Sequence, residues 1–471
     1  MTLLGKENFT NRTREQSGEL ATIIHRKDRT EATVTTKAAK GIDRFSLMMS
    51  WLSLLARLNR QVWLQAVGRG LYQAGGVGII QFHAPIIFVN YFGLSATAVG
   101  VGVGSSSLAG AVGNVLGGIL TDSQRFGRKG TLLLGTGLAA LSCVVLTFAH
   151  DLLLFIVANL LVGLSLGLYW TAADTAIMDV TTPEDRHNGF AVSVVAESLG
   201  VGAGILGGEV LLNRMGNVSM LFAIGSLIFL VFLGLILTAI VETRQNHVQS
   251  DETTSGWLIA LKDRRLLIFI AVNSLFVTYL ALVNETMPLY FTNFLSLHDS
   301  DTTAGISASP VNIASLFTLC YVGLGAILQV PIASALGSWG WARPLMLSMG
   351  LWGLGFLLVW GMGGLASVPL PYKMGTLGLL GIATVIYRPF ASTFLAEIAP
   401  ETLRGVYTAM SYQCWAIGYF IGPLLGGWAL DQSPTVAHNA WIIVALSTIC
   451  GLIMLWMLAR QNVSKQGESA C

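Results

Sequence analysis

Tyr169-Trp-Thr-Ala-Ala-Asp-Thr-Ala-Ile-Met-Asp179 and Tyr387-Arg-Pro-Phe-Ala-Ser-Thr-Phe-Leu-Ala-Glu397 begin two passages that run in one register, 218 positions apart, as residues 169–208 and 387–426. Tyr169 meets Tyr387, Ala173 meets Ala391, Thr175 meets Thr393, and acidic Asp179 meets Glu397. The register continues through Arg186 with Arg404 and Ser193 with Ser411, and then through Gly200, Gly204 and Gly208 with Gly418, Gly422 and Gly426. No gap is needed, so two apolar helices that happen to look alike do not explain it. A duplicated helix–loop–helix unit in an apolar chain implies a transporter built from two halves.

Only 11% of the 471 residues are charged and the mean hydropathy is +0.66, whereas a soluble domain carries about a quarter charged residues. The chain therefore reads as an integral membrane protein, all-α, with the bilayer as its partner. A net charge of +2 gives no reason to expect nucleic acid. Cys143, Cys320, Cys414, Cys450 and Cys471 are odd in number and scattered, a spacing that suits neither a disulfide framework nor a metal site. Residues 1–45 are polar and lack an apolar core segment, so they read as a basic tail and not as a cleavable signal. Residues 46–60 read as an interfacial helix or the lead-in to the first span.

A spanning helix needs about 20 apolar residues. Twelve segments qualify, near 62–92, 96–121, 130–149, 152–178, 188–212, 218–241, 266–293, 310–335, 343–362, 371–396, 405–430 and 438–459. An even number of crossings puts both termini on one side. Of 27 Lys and Arg, 11 fall in residues 1–60 and 12 in the loops after helices 2, 4, 6, 8 and 10 together with the C-terminal tail. The opposite face has Arg214 and Lys373, and Arg69 and Arg388 lie inside helices. The positive-inside bias predicts that both termini are cytoplasmic, in a bacterial inner or plasma membrane.

A second internal match, at an offset of 203, sets Pro85-Ile-Ile-Phe-Val-Asn90 against Pro288-Leu-Tyr-Phe-Thr-Asn293. Helices 1–6 thus repeat as 7–12 in parallel. The predicted organisation is a tail and lead-in (1–60), a first six-helix bundle (61–241), a linker (242–262), a second bundle (263–460) and a C-terminal tail (461–471).

The loop after helix 2 reads Gly117-Gly-Ile-Leu-Thr-Asp122-Ser-Gln-Arg125-Phe-Gly127-Arg128-Lys129. It resembles the signature loop of the major facilitator superfamily, with Ser123-Gln124 as an insertion. Helix 11 carries Gly418-Tyr-Phe-Ile-Gly422-Pro423-Leu-Leu-Gly426-Gly427, similar to the antiporter motif that the family usually shows in helix 5. The resemblance covers nearly the whole chain after residue 60, and within the family it is to bacterial multidrug and small-molecule exporters. It implies parallel six-helix halves, alternating access, no cofactor, no enzymatic activity and a monomer. It also implies a latch between halves at Asp122, Arg125, Gly127 and Arg128, although positive-inside anchoring alone also fits that loop. The matching loop of the second half, Gly337 to Arg343, lacks the aspartate, so any latch is one-sided. Helix 4 departs from proton-coupled exporters, with Asn159 where they carry an arginine four residues before Gly163.

Ionisable groups inside a bilayer are costly and tend to be functional. Glu197 lies nine residues into helix 5, roughly 13 Å deep at 1.5 Å per residue. Arg388 lies at a similar depth in helix 10, and their repeat partners are Trp415 and Trp170. Glu197 and Arg388 are expected to line the cavity, binding substrate or a proton and pairing in one state, or else to form a structural ion pair. Trp170, Trp415, Tyr387, Gln73, Gln81 and Glu285 complete the substrate and proton candidates. Glu285 either contacts substrate or meets water at the outer end, and His83 reads as structural. Asp174 is read as reaching back to the cytoplasm, and Asp179, Arg186, Glu397 and Arg404 as gate and capping charges. Gly200, Gly204, Gly208, Gly418, Gly422, Pro423 and Gly426 are read as packing that can slide, and Pro389 as a hinge.

Abundant aromatics beside few charges favour a lipophilic or amphipathic small molecule, exported in exchange for protons. A symporter or uniporter for a small solute, and a transporter-like receptor or assembly partner, remain the alternatives. No nucleotide-binding loop occurs in the sequence.

Overall fold

The computed structural model describes residues 59–182, 186–243, 259–295, 311–365, 368–400 and 404–468. The proposed lead-in helix, most of the linker and the end of the C-terminal tail lie outside the described residues. Twelve helices follow in order: α1 (60–90), α2 (Ala96–Asp122), α3 (Gly127–Phe148), α4 (Leu152–Val180), α5 (Arg186–Met215), α6 (Val218–Thr238), α7 (Arg264–Leu295), α8 (311–336), α9 (Ala342–Met362), α10 (Leu370–Ile398), α11 (Arg404–Leu430) and α12 (Pro434–Glu468). They match the twelve expected segments within a few residues, except that α12 continues through Glu468.

Helix starts are written locally. Asp151 accepts the Leu154 N–H at 2.8 Å, Asp263 that of Arg265 at 2.9 Å, and Ser95 that of Ala98 at 3.1 Å. Each satisfies a donor that the first helical turn leaves free. Gly127 begins α3 at φ +63°, with the Glu242 carboxylate where a Cβ would stand, so glycine is required there twice over.

Within the first half α1 packs on α5 and α6, α2 on α4, and α3 on α4 and α6. The second half repeats every one of these pairs six helices later. Two separate cores result. Tyr72, Phe88, Phe155, Tyr169 and Phe222 anchor the first, and Phe276, Trp352, Phe356, Tyr387 and Trp441 the second. Large apolar side chains such as Leu153, Leu199, Ile327 and Ile443 point outward and are about 70% exposed, a surface that only a bilayer would cover.

Among the described residues nine helices are individually long and apolar enough to cross a membrane. The other three, α1, α8 and α11, all sit where the halves meet, against α7, α5 and α2 respectively. Helices α1, α7 and α8 also contain π-helical stretches, at Ala74–Gln81, at Leu282–Thr286 and Phe291–Leu295, and at Phe317–Gly323. Such wide turns are rare and concentrate at functional positions. In contrast, α10 runs unbroken through Pro389.

Candidate functional site

Three helices of the first half bring their charges to one point. The Arg69 guanidinium of α1, 3% exposed, donates to Glu197 of α5 at 3.0 Å and also to Asp174 of α4. Its carbon lies 4.8 Å from the centre of the Trp170 ring. Tyr169 packs edge-on to Trp170 and stacks on Tyr72 with ring centres 3.6 Å apart. A planar guanidinium is suited to this arrangement, since its fork serves two carboxylates while its face meets an aromatic ring.

In this conformation Glu197 takes Arg69 as its partner, and Arg388 lies over Trp415 at 5.6 Å. Arg388 remains close enough for its charge to act on Glu197, so two cations and two anions share the region. Asp174 is turned toward Arg69, because an ion pair with a buried guanidinium outweighs reaching back to water. Arg388 and Tyr412 are exposed and Asp174, Trp170 and Trp415 are partly so, so the cluster is not closed off on every side.

Other candidates are dispersed. Tyr387 is buried, stacks on Phe276 and donates to Asn273 Oδ1 at 2.5 Å. Gln73 precedes the π-helical stretch of α1 and Gln81 ends it, the first buried and the second half-buried. His83 is structural, its Nδ1 2.9 Å from the Gly78 carbonyl oxygen and its ring against Gly208. Glu285 lies toward the far end of α7 and is buried from bulk solvent, 4% exposed.

At the end where α1 begins, the signature loop is an internal clasp of the first half. Arg128 donates to Asp122 at 3.0 Å, to Asp179 at 2.9 Å and to the Thr121 carbonyl at 2.7 Å. Glu242 accepts the backbone N–H groups of Arg128 and Lys129, both at 3.0 Å, at the positive end of the α3 dipole. Arg125 and Glu397 are exposed there. Arg186 and Arg404 begin α5 and α11, and their side chains lie outside the described residues.

The far end is sealed between halves. A Cβ on Gly100 would collide with the Pro423 carbonyl oxygen, and one on Gly427 with that of Ala96. Asp431, just after α11, accepts the N–H of Ala96 at 2.7 Å and of Thr97 at 2.6 Å, so a second-half carboxylate caps α2 of the first. Burial opposes the charge, but the hydrogen bonds from Thr97 and Ala96 outweigh it and hold the Asp431 carboxyl below its ordinary value. Nothing in the repeat pointed to Asp431.

The repeated glycines lie at close helix–helix contacts within each half. A Cβ on Gly200 would collide with the Gly70 carbonyl oxygen, and one on Gly204 with that of Ala74. On the other side Gly418 and Gly422 meet Thr278 and Ala281, and Gly426 meets Thr286. These stripes lock α5 to α1 and α11 to α7 inside each half. The contact between halves uses Gly100, Gly104, Phe420, Pro423 and Gly427 instead.

Paired six-helix bundles, sealed at one end around a charged midpoint, define a secondary transporter. The family model of the Major Facilitator Superfamily matches residues 70–315 and 296–470, and the chain belongs to that superfamily. It is 25% identical over 347 residues to "Uncharacterized MFS-type transporter YttB" of Bacillus subtilis (strain 168), covering 73% of this chain and 82% of that one. It is 24% identical over 376 residues to "Multidrug resistance protein MdtH" of Cronobacter sakazakii (strain ATCC BAA-894), covering 79% and 87%. Among solved structures, the nucleoside transporter NupG superposes with a TM-score of 0.69 at 15% identity, over 85% of this chain and 99% of that one. At that identity the likeness concerns the fold.

Proposed function

We propose that this transporter exports a lipophilic or amphipathic solute in exchange for protons, with Arg69, Asp174 and Glu197 as the coupling site. The observation that carries the reading is one buried guanidinium shared by carboxylates from α4 and α5, each partly reachable by solvent. A proton on Glu197 removes one of the two anions, leaves Arg69 to Asp174, and changes the net charge of the region by one. A cationic or amphipathic cargo between Trp170, Trp415 and Arg388 competes for the same carboxylates, so proton and cargo exclude each other. Export is supported by the name of the relative from Cronobacter, and positive-inside bias supports an inner-membrane orientation with both termini cytoplasmic. In this reading the halves are residues 61–241 and 263–460, joined by a cytoplasmic linker at 242–262, and one copy of the chain suffices.

The test is cargo flux from purified protein in liposomes under an imposed pH gradient. Expected is flux against the cargo gradient that collapses with an uncoupler, flux by Glu197→Gln that no longer varies with pH, and weakened cargo binding by Arg388→Ala. Cargo moving together with protons would replace export by symport. An unchanged pH profile in Glu197→Gln would remove Glu197 from coupling.

A further inference from the structure

Glu285 sits on the π-helical stretch of α7, some distance along the bundle from the Arg69 cluster and outside the mechanism above. It is 4% exposed, and neither carboxyl oxygen has a hydrogen-bond partner. It borders a cavity of about 20 Å³, room for about one water. The wall is formed by Pro85 of α1, Val99 and Val103 of α2, Leu289 of α7, and Pro423 and Gly427 of α11. An isolated carboxylate in such surroundings carries a desolvation cost that a protein avoids by neutralising it.

The charged and titratable groups around it give no relief. From α11 the phenol of Tyr419 accepts a hydrogen bond from Asn284 at 3.0 Å and makes none to Glu285. The residues that α1 and α2 contribute to the wall are not ionisable. Asp431 holds Ala96, another wall residue, and its negative charge would repel a second carboxylate.

We propose that Glu285 is a proton-binding site of the far-end gate, neutral while α2, α7 and α11 are closed around it and ionised once they part. Parting α2 from α11 at Gly100 and Pro423 opens the cavity wall itself, so hydration of Glu285 and gate opening are one event. The proton enters from the far side, allows closure, and is carried in with the sealed state. This rests on the reading that the halves rock about the central site. It adds a second protonation step, which locks the gate and does not contact cargo.

The test is the distance between spin labels at Tyr91→Cys and Ser433→Cys on the full chain in liposomes, with Cys450→Ala and Cys471→Ala. In the wild type a rise in pH is expected to shift the population from short to long distance, by up to about tenfold per pH unit for one linked proton. Glu285→Gln, permanently neutral, should stay at the short distance throughout, and Glu285→Asp should respond as the wild type does. A Glu285→Gln variant that titrates like the wild type, or a wild type without pH response, overturns the proposal. Flux separates this from the export reading: labels that respond as described in a protein without proton-driven export leave Glu285 as the gate's proton site and remove export.

Discussion

Trp170 and Arg388 occupy the same position of the two repeats, yet each completes a cation–π pair of opposite order. Trp170 of α4 receives Arg69 from α1 at 4.8 Å, whereas Arg388 of α10 places its own guanidinium 5.6 Å from Trp415 of α11. The two halves thus carry the same kind of contact with cation and ring exchanged between helices. Cations enter from both sides, and carboxylates from the first half.

Arg69→Ala would leave Asp174 and Glu197 without the cation that bridges them. Breaking one side of a buried ion pair costs about 3–5 kcal/mol, and the partial exposure of Asp174 places the expected loss at about 3 kcal/mol. Thermal unfolding in detergent measures it. Arg69→Lys keeps the charge but loses the fork, and should recover folding more fully than flux. Equal recovery of both would make Arg69 a purely structural cation.

The two aromatic pairs should differ in strength. A double-mutant cycle on thermal stability should give a coupling of about 0.5 kcal/mol for exposed Arg388 with Trp415, and up to about 2 kcal/mol for buried Arg69 with Trp170. The reverse order would mean that burial does not set their strength.

Asp431 gives the far-end seal a pH dependence with a definite sign. Its carboxyl is held below the ordinary value by the amides it caps, so the contribution is complete above that value, about 4, and disappears as pH falls through the depressed one. The Tm difference between wild type and Asp431→Asn should be full at neutral pH and vanish in acid. A difference that persists below the depressed value would assign the effect to shape and not to charge.

Gly200→Ala and Gly422→Ala force a Cβ into the Gly70 carbonyl oxygen and to 2.7 Å from the Ala281 Cβ, respectively. Each should cost about 1–3 kcal/mol as overpacking. Gly118→Ala, with nothing within 4 Å of the added carbon, should gain up to about 1 kcal/mol from helix propensity. Thermal unfolding ranks the three, and a Gly200→Ala protein as stable as Gly118→Ala would contradict the tight seam.

The fold was legible because it is written twice. Apolar segments give the helix count, and offsets of 218 and 203 give half-to-half equivalence and the positions where chemistry departs from symmetry, among them Glu197 and Arg388. Arg69 escaped the same reading because its counterpart in α7 is Val272, so it belongs to no matched pair. Which carboxylate a cation takes depends on how α1 lies between α4 and α5, a tertiary fact that one-dimensional depth cannot supply. The glycine stripes were legible as close-packing faces, but their partner helices were not, since spacing gives a helix its smooth face without naming the helix opposite. Asp431 and the π-helical turns of α1, α7 and α8 leave no periodic mark at all.

The locked seams of α5 on α1 and of α11 on α7 have a mechanical consequence. In the transport cycle proposed above, a half packed this closely would tilt as a stiff lever. Separation at one end then obliges approach at the other, without any wire of residues passing the signal. Under the proposed function, stiffness of this kind would free the side chains around Trp170 and Trp415 to change without disturbing the stroke.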